Sequence, residues 1–248
     1  MEIIYILWLR QIKRYLRSKA RIIGSLGQPL LFMVAFGFGF GPIFRKAGEG
    51  NYVQFLVPGV IAMTILFTAV FNGLEIIWDR QFGFLKEMLV APVSRLKIMI
   101  GRNLGGATIA VVQGLIVLAI SFGLGFRLEH WWSIWPALGF MFLIAYLFTL
   151  FGTAIASLLK DMQGFQLIMN FLVMPLFFLS GAFFPLADLP APMLAVVKVD
   201  PVSYGVDSLR GVLAGLNHFS LFSDLAVLVS LIVFLLVVAS YLFSRIEA

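Results

Sequence analysis

Few residues in this 248-residue chain could make or break bonds. Cysteine is absent, which removes thiolate nucleophiles, thiolate metal ligands and disulfides together. The two histidines, His130 and His218, stand far apart in the sequence. No Walker-type G-x-x-x-x-G-K-S/T run offers a phosphate cradle, and neither an H-E-x-x-H helix nor a serine elbow occurs. The sequence therefore nominates no catalytic, cofactor-binding or metal-binding residue. Its polar chemistry lies in two places. One is the series Thr64, Thr68, Asn72 and Glu75, at steps of three or four, which falls on one side of a helix. Such a stripe could line a translocation path or form a hydrogen-bonding seam between helices. An ionised Glu75 at mid-membrane would cost about 2.5–3.5 kcal/mol, so it is expected near water, paired with a cation such as Arg80, or engaged in gating or substrate contact. Gln28, Gln113 and Asn170 are expected to be buried amides that serve packing.

The other place is the segment from Trp78 to Arg95. Phe82, Leu85 and Leu89 recur at helical spacing, with Asp79, Arg80, Lys86 and Glu87 around them, and Pro92 ends the pattern. A short helix, half apolar and half charged, suits docking into a groove on a partner protein. An ordinary interfacial loop helix has the same pattern.

The elements that must position these residues follow from composition. The chain is 61% hydrophobic and 12% charged, with a mean hydropathy of +1.02. A globular domain has about 25% charged residues, so a water-soluble fold is excluded, and so is disorder. Six runs lack Asp, Glu, Lys and Arg: Ile22–Phe44, Gly50–Leu74, Asn103–Phe126, His130–Leu159, Met162–Ala187 and Leu225–Ser244. Each is long enough to cross a ~30 Å hydrocarbon core as a helix, and no ten-residue alternation suggests a barrel. An all-α membrane protein with six spans follows, near 22–44, 52–77, 99–126, 132–159, 162–184 and 223–244. Between the last two, Ser180–Ser223 holds prolines and charges and reads as a pair of short helices, dipping into or lying on one membrane face, with 185–216 as an outer re-entrant region; an extra hairpin of spans is the alternative.

Placing the N-terminus inside puts 13 of the 18 Lys and Arg residues on the cytoplasmic side, so both termini are expected there. Trp131, Trp132 and Trp135 would mark the outer interface. The net charge of +6 is then a matter of topology, and nucleic acid is not an expected partner. Residues 1–21 do not read as a signal peptide, because apolar Ile3–Leu9 precedes the basic part. They read instead as an amphipathic interfacial helix. Ile4, Trp8, Ile12, Tyr15 and Leu16 line one stripe, and Arg10, Lys13, Arg14, Arg17 and Arg21 face anionic headgroups or a cytoplasmic partner. Gly101/Gly105 and Gly211/Gly215 read as packing positions.

Four segments carry a family likeness. Asp79-Arg80, Gly83, Leu85-Lys86, Leu89 and Pro92-Val93-Ser94-Arg95 resemble the cytoplasmic loop of type-2 ABC exporter permeases, which include daunorubicin-resistance-like and polysaccharide-exporter-like proteins. Met88 stands where leucine is commoner. Tyr52–Gly59 resembles that family's entry into the second span, and Leu179–Pro185 with Leu189-Pro190 a third motif. Asp200-Pro201-Val202-Ser203-Tyr204, Asp207 and Arg210 resemble a fourth, with Asp in place of Asn at its start. The resemblance implies a single permease domain in the inner membrane of a prokaryote. A second permease copy, in a homodimer or heterodimer, and two ABC ATPase subunits would be its partners. ATP-Mg would be bound by the ATPases and not by this chain. It implies a coupling helix over 79–92 (Asp79, Arg80, Phe82, Gly83, Leu85, Lys86, Glu87, Leu89, Pro92), with the N-terminal amphipathic helix and Lys160-Asp161 as accessory contacts. It also implies an outer gate (Ser180, Gly181, Pro185, Asp200, Pro201, Tyr204, Asp207, Arg210). The expected function is outward movement of a hydrophobic, amphipathic or lipid-linked substrate, driven by the partner's ATP. The alternatives are an autonomous secondary transporter or channel, which should show mid-membrane ionisable residues and an inverted repeat, and a membrane enzyme.

Overall fold

A computed structural model describes residues 2–46, 51–84, 93–186 and 189–246, apart from the side chains at 21, 45 and 46. Among the described residues the fold is helical, with no strand. The amphipathic α1 (Glu2–Arg17) breaks at Ser18 into α2 (Lys19–Lys46). Then come α3 (Tyr52–Gln81), α4 (Arg95–Gly123), a single 3-10 turn at Trp131–Ser133 and α5 (Ile134–Leu158). The fifth long helix is α6 (Met162–Leu179), followed by the short α7 (Ala191–Val199) and α8 (Pro201–Ala214) and by α9 (Leu221–Ser244). Six of these helices are long and apolar enough to cross a membrane.

The six long helices alternate in direction, so α1, the foot of α3 to Phe84, the α5–α6 turn and Arg245-Ile246 gather at one end, here the basic end. Arg80 donates to the Leu159 carbonyl there (3.0 Å), Trp78 Nε1 to Met162 Sδ (2.8 Å) and Arg95 to the Ile246 carbonyl (3.0 Å). α3 lies at the centre, packed by α2, α4, α5 and α8, and is buried on nearly every face from Phe55 to Ala69. Its contact with α5 depends on two glycines. A Cβ at Gly73 would fall on the carbonyl of Gly152, and a Cβ at Gly152 on the carbonyl of Val70. Only hydrogen side chains let these backbones approach so closely.

Several boundaries differ from the expected ones for identifiable reasons. α3 runs on to Gln81, so Asp79 and Arg80 belong to the last turn of a span, not to a separate helix. Asp79 is tolerated there because Arg102 neutralises it (2.6 Å). α4 begins at Arg95, directly after Ser94, and not at 99. α6 ends at Leu179 and carries a π turn at Met169–Val173, one residue short of Pro175, which has no N–H to give that turn. Leu85, Lys86, Glu87, Leu89 and Pro92 lie outside the described residues. In the 185–216 segment two short helices stand as expected. Asp200 caps α8 by accepting the Val202 N–H (2.9 Å), Pro201 supplies its first turn, and Gly215 closes it at φ +69°.

On α1 part of the stripe expected in the acyl boundary, Ile4, Trp8 and Tyr15, packs on the bundle instead, together with Gln11. Tyr15 and Gln11 are buried, Trp8 donates to Thr108 Oγ1 (3.0 Å), and Leu16 is 60% exposed. The reason lies on α4. Gly101 faces Ile4 and Leu7, and Gly105 faces Gln11 and the Trp8 carbonyl, so α1 packs on a glycine notch in the third span. Trp131, Trp132 and Trp135 project outward beside the 3-10 turn, the disposition of an interfacial belt.

Candidate functional site

Two polar constellations stand at opposite ends of α3. At the basic end Arg102, from the second turn of α4, donates Nη1 to Asp79 Oδ2 at 2.6 Å, with both side chains buried. Arg14 of α1 reaches in between, 3.5 Å from Glu75 Oε2 and 3.9 Å from Asp79 Oδ1. One Asp, one Glu and two Arg therefore tie three helices together at the foot of α3. Burial makes each charge depend on its partner, since removing one leaves the other uncompensated. Glu75 is paired with Arg14, not with Arg80 as the sequence suggested; Arg80 points instead at the Leu159 carbonyl.

Above this network lies a cavity of about 420 Å³ between α2, α3 and α4, with Tyr15 of α1 on its wall. Its lining contains all four residues of the polar stripe, Thr64, Thr68, Asn72 and Glu75, on a single wall of α3. Thr64 gives its hydroxyl proton to the Val60 carbonyl (2.8 Å), and Asn72 donates to Thr68 (2.9 Å) and across to Gly106 of α4 (3.3 Å). The stripe thus lines the cavity and, at Asn72, also bonds to a neighbouring helix. Phe67, Phe71 and Met63 add apolar surface, and Ser25 and Gln28 of α2 face them. Gln28 and Asn170 are exposed in the single chain, unlike their expected burial, whereas Gln113 is fully buried. Gln113 donates to the Tyr15 hydroxyl and to Ser25 Oγ (2.6 Å), linking α4 to α1 and α2. A second cavity of about 330 Å³ adjoins at Trp78, with Arg10, Arg14 and Phe82 in its wall.

At the opposite end Arg210 of α8 is buried with its guanidinium 3.8 Å from the centroid of the Phe55 ring. It donates to the carbonyls of Phe55 (3.3 Å), Gly181 (3.0 Å) and Ala182 (3.2 Å). One side chain therefore holds the N-terminal part of α3 against the turn after α6. Burial pushes its pKa down to about 10, opposed by Asp207. Asp207 accepts the backbone N–H groups of His218 (2.8 and 3.1 Å) and Phe219 (2.8 Å), fixing the α8–α9 connection. Burial raises its pKa and those backbone donors oppose the rise. Asp200, at the start of α8, is pushed up to about 7 by burial, against the pull of the Val202 N–H.

The expected outer-gate residues divide accordingly. Gly181, Asp207 and Arg210 come together, and Pro185 joins the latter two around a cavity of about 510 Å³. Ser180 closes α6 by donating to the Phe177 carbonyl (2.7 Å). Asp200, Pro201 and Tyr204 sit at the far end of α8, where the Tyr204 hydroxyl donates to the Lys198 carbonyl (2.6 Å) and the ring stacks on Phe219. Of the coupling-helix residues, Asp79 and Arg80 lie at the foot of α3, and Phe82 and Gly83 in the turn that follows, Gly83 at φ +80°. Sequence reasoning missed Arg14 and Arg102 as partners of the acids, and Gln113 as a junction. The one available signal was a cation, Arg102, at the edge of an uncharged run.

Comparisons agree on kinship. The profile of the ABC-2 type transporter family matches residues 2–214. The inner membrane transport permease YadH of Escherichia coli K12 is 29% identical over 230 residues, covering 92% of this chain and 89% of that protein. Nodulation protein J of Rhizobium leguminosarum bv. trifolii is 26% identical over 213 residues, 85% of this chain and 78% of that one. The ycf38 protein of Cyanophora paradoxa is 29% identical over 201 residues, 78% of this chain and 68% of its own length.

Proposed function

The chain belongs to the ABC-2 type transporter family, and from that premise we propose that this multi-pass transport permease is the membrane subunit of an ATP-driven exporter. Separate ABC ATPase subunits supply the energy, a second permease copy completes the pathway, and both termini face the cytoplasm. The cargo is hydrophobic, amphipathic or lipid-linked. The observation that carries this reading is the junction at the foot of α3. There the cavity lined by Thr64, Thr68, Asn72 and Glu75 ends on the ion pairs of Arg14, Asp79 and Arg102. The same helix end leads within a few residues into the segment that resembles the family's coupling loop. A push on 82–94 would be delivered first to Asp79 and its partners, and through them to α1, α4 and the cavity wall. Rigid helices tied by buried charges transmit such a displacement because they repack between discrete arrangements instead of deforming smoothly. At the other end, Arg210 and Asp207 pin α8 and its flanking turns, and their release would open the outer side.

The experiment is reconstitution. The purified chain alone is expected to hydrolyse no ATP and move no cargo, and addition of its ATPase should confer both activities. Transport in proteoliposomes that contain no ATPase would overturn the reading in favour of a secondary transporter. Leu85→Glu tests the coupling segment: membrane insertion is expected to persist while ATPase co-purification falls about tenfold or more, as for a central interface residue. Unchanged co-purification would remove the segment from the coupling role.

A further inference from the structure

We propose that the outward face of α1 is a binding site for the phosphate headgroup of an anionic membrane phospholipid, seated on Lys13, Arg14 and Arg17. α1 has two unlike faces. One is packed on the glycine notch of α4 through Ile4, Trp8, Gln11 and Tyr15. On the other, a groove of about 550 Å³ has Ile6, Leu9, Arg10, Lys13, Arg14 and Arg17 as its described lining. Four cations thus meet two aliphatic side chains in one depression, which is the mixture that a charged headgroup and the start of an acyl chain require.

Depth selects lipid over a soluble acidic protein. Tyr15, in the last turn of α1, meets Gln113 of α4. Gln113 lies in the uncharged run that begins at Asn103, about 15 Å along the helix from that residue. The last turn of α1 therefore stands beside apolar span and not clear of it. α2 enters its own uncharged run at Ile22, five residues after Arg17. Tyr5, Ile6 and Leu16 are each about 60% exposed on the same helix, a surface that belongs against hydrocarbon. Cations at this level find their natural counter-ion in lipid phosphate, and clusters of Lys and Arg beside spans bind anionic leaflets. Lys13 and Arg17 are exposed, and Arg14 is bound only loosely from within, at 3.5 and 3.9 Å, while Asp79 already holds Arg102 at 2.6 Å. A phosphate on Lys13 and Arg17 would compete for Arg14, and so would adjust the ion pairs at the foot of α3. This makes lipid charge a regulator of the junction and not a cargo.

The test uses the full chain without any ATPase, so it fails or succeeds independently of the transport reading. The protein is purified in detergent, exposed to equimolar phosphatidylglycerol and phosphatidylcholine of the same acyl length, and examined by native mass spectrometry. Retention of phosphatidylglycerol over phosphatidylcholine is expected, and the pair Lys13→Gln with Arg17→Gln should lower it about tenfold or more. Lys160→Gln, an exposed cation elsewhere at the basic end, should leave it unchanged. Equal retention of the two lipids, or a double variant that still holds phosphatidylglycerol, overturns the proposal.

Discussion

At the start of α8, Asp200 takes the Val202 N–H on Oδ1 while Oδ2 is buried without a hydrogen-bond partner. The cap requires only an acceptor, and the negative charge is the part that burial penalises, which is why the carboxyl is pushed up from 3.8 to about 7. Between those two values the folded protein binds the proton more tightly than the unfolded chain does, so stability falls as pH rises through that window. Asparagine, which stands at this place in the family motif, keeps an acceptor for Val202 and has no proton to lose. Asp200→Asn is therefore expected to stabilise the protein by about 1 kcal/mol or more at pH 8 and to change little at pH 4. Thermal unfolding in detergent at the two pH values measures the difference. An equal shift at both would mean that charge is irrelevant at this position. Arg210 follows the opposite logic, since its charge is held by carbonyl oxygens of Phe55, Gly181 and Ala182. Its acceptors are backbone atoms, and so no pattern of side chains in the sequence could have identified them.

Among the elements, the crossing of α3 and α5 is the least forgiving contact. Gly152→Ala puts a methyl group against the Val70 carbonyl, whereas Gly139→Ala, on the same helix, meets nothing within 4 Å. The first is expected to cost about 1–3 kcal/mol by overpacking. The second should be neutral or slightly stabilising, because alanine is the better helix former. Thermal unfolding of the two variants side by side isolates the crossing, and equal behaviour would contradict the close approach. Spans of this kind were legible in the sequence because apolar length is a local property. The stripe from Thr64 to Glu75 was legible for the same reason, as four residues on one helix. Helix ends and partners were not local. α3 extends to Gln81 because Asp79 has Arg102 beside it, a compensation 23 positions away in the chain. The buried side of α1 is set by Gly101 and Gly105 of another helix, so Gln11 is covered while Leu16 is left out. Hydrophobicity alone would rank those two residues the other way.

Over the whole molecule, the two ends are tied by different means. The basic end uses paired charges from α1, α3 and α4, and the opposite end uses Arg210 on carbonyls and Asp207 on amides. The ion pairs at the basic end adjoin the turn at Phe82-Gly83 that leaves α3. The contacts of Arg210 and Asp207 are to backbone groups, which a displacement of α8 would free. The assignment of inside and outside rests on the distribution of Lys and Arg, and the absence of cysteine allows a direct test. Single-cysteine variants at Lys160 or Lys97, exposed at the basic end, and at His130, exposed at the other, need no background correction. A membrane-impermeant maleimide applied to intact cells is expected to label His130→Cys and to reach Lys160→Cys and Lys97→Cys only after permeabilisation. The reverse pattern would invert the protein in the membrane. Arg14, Asp79 and Arg102 would then face the outside, where no ATPase could act on them, and the polar wall of α3 would have to be loaded from there.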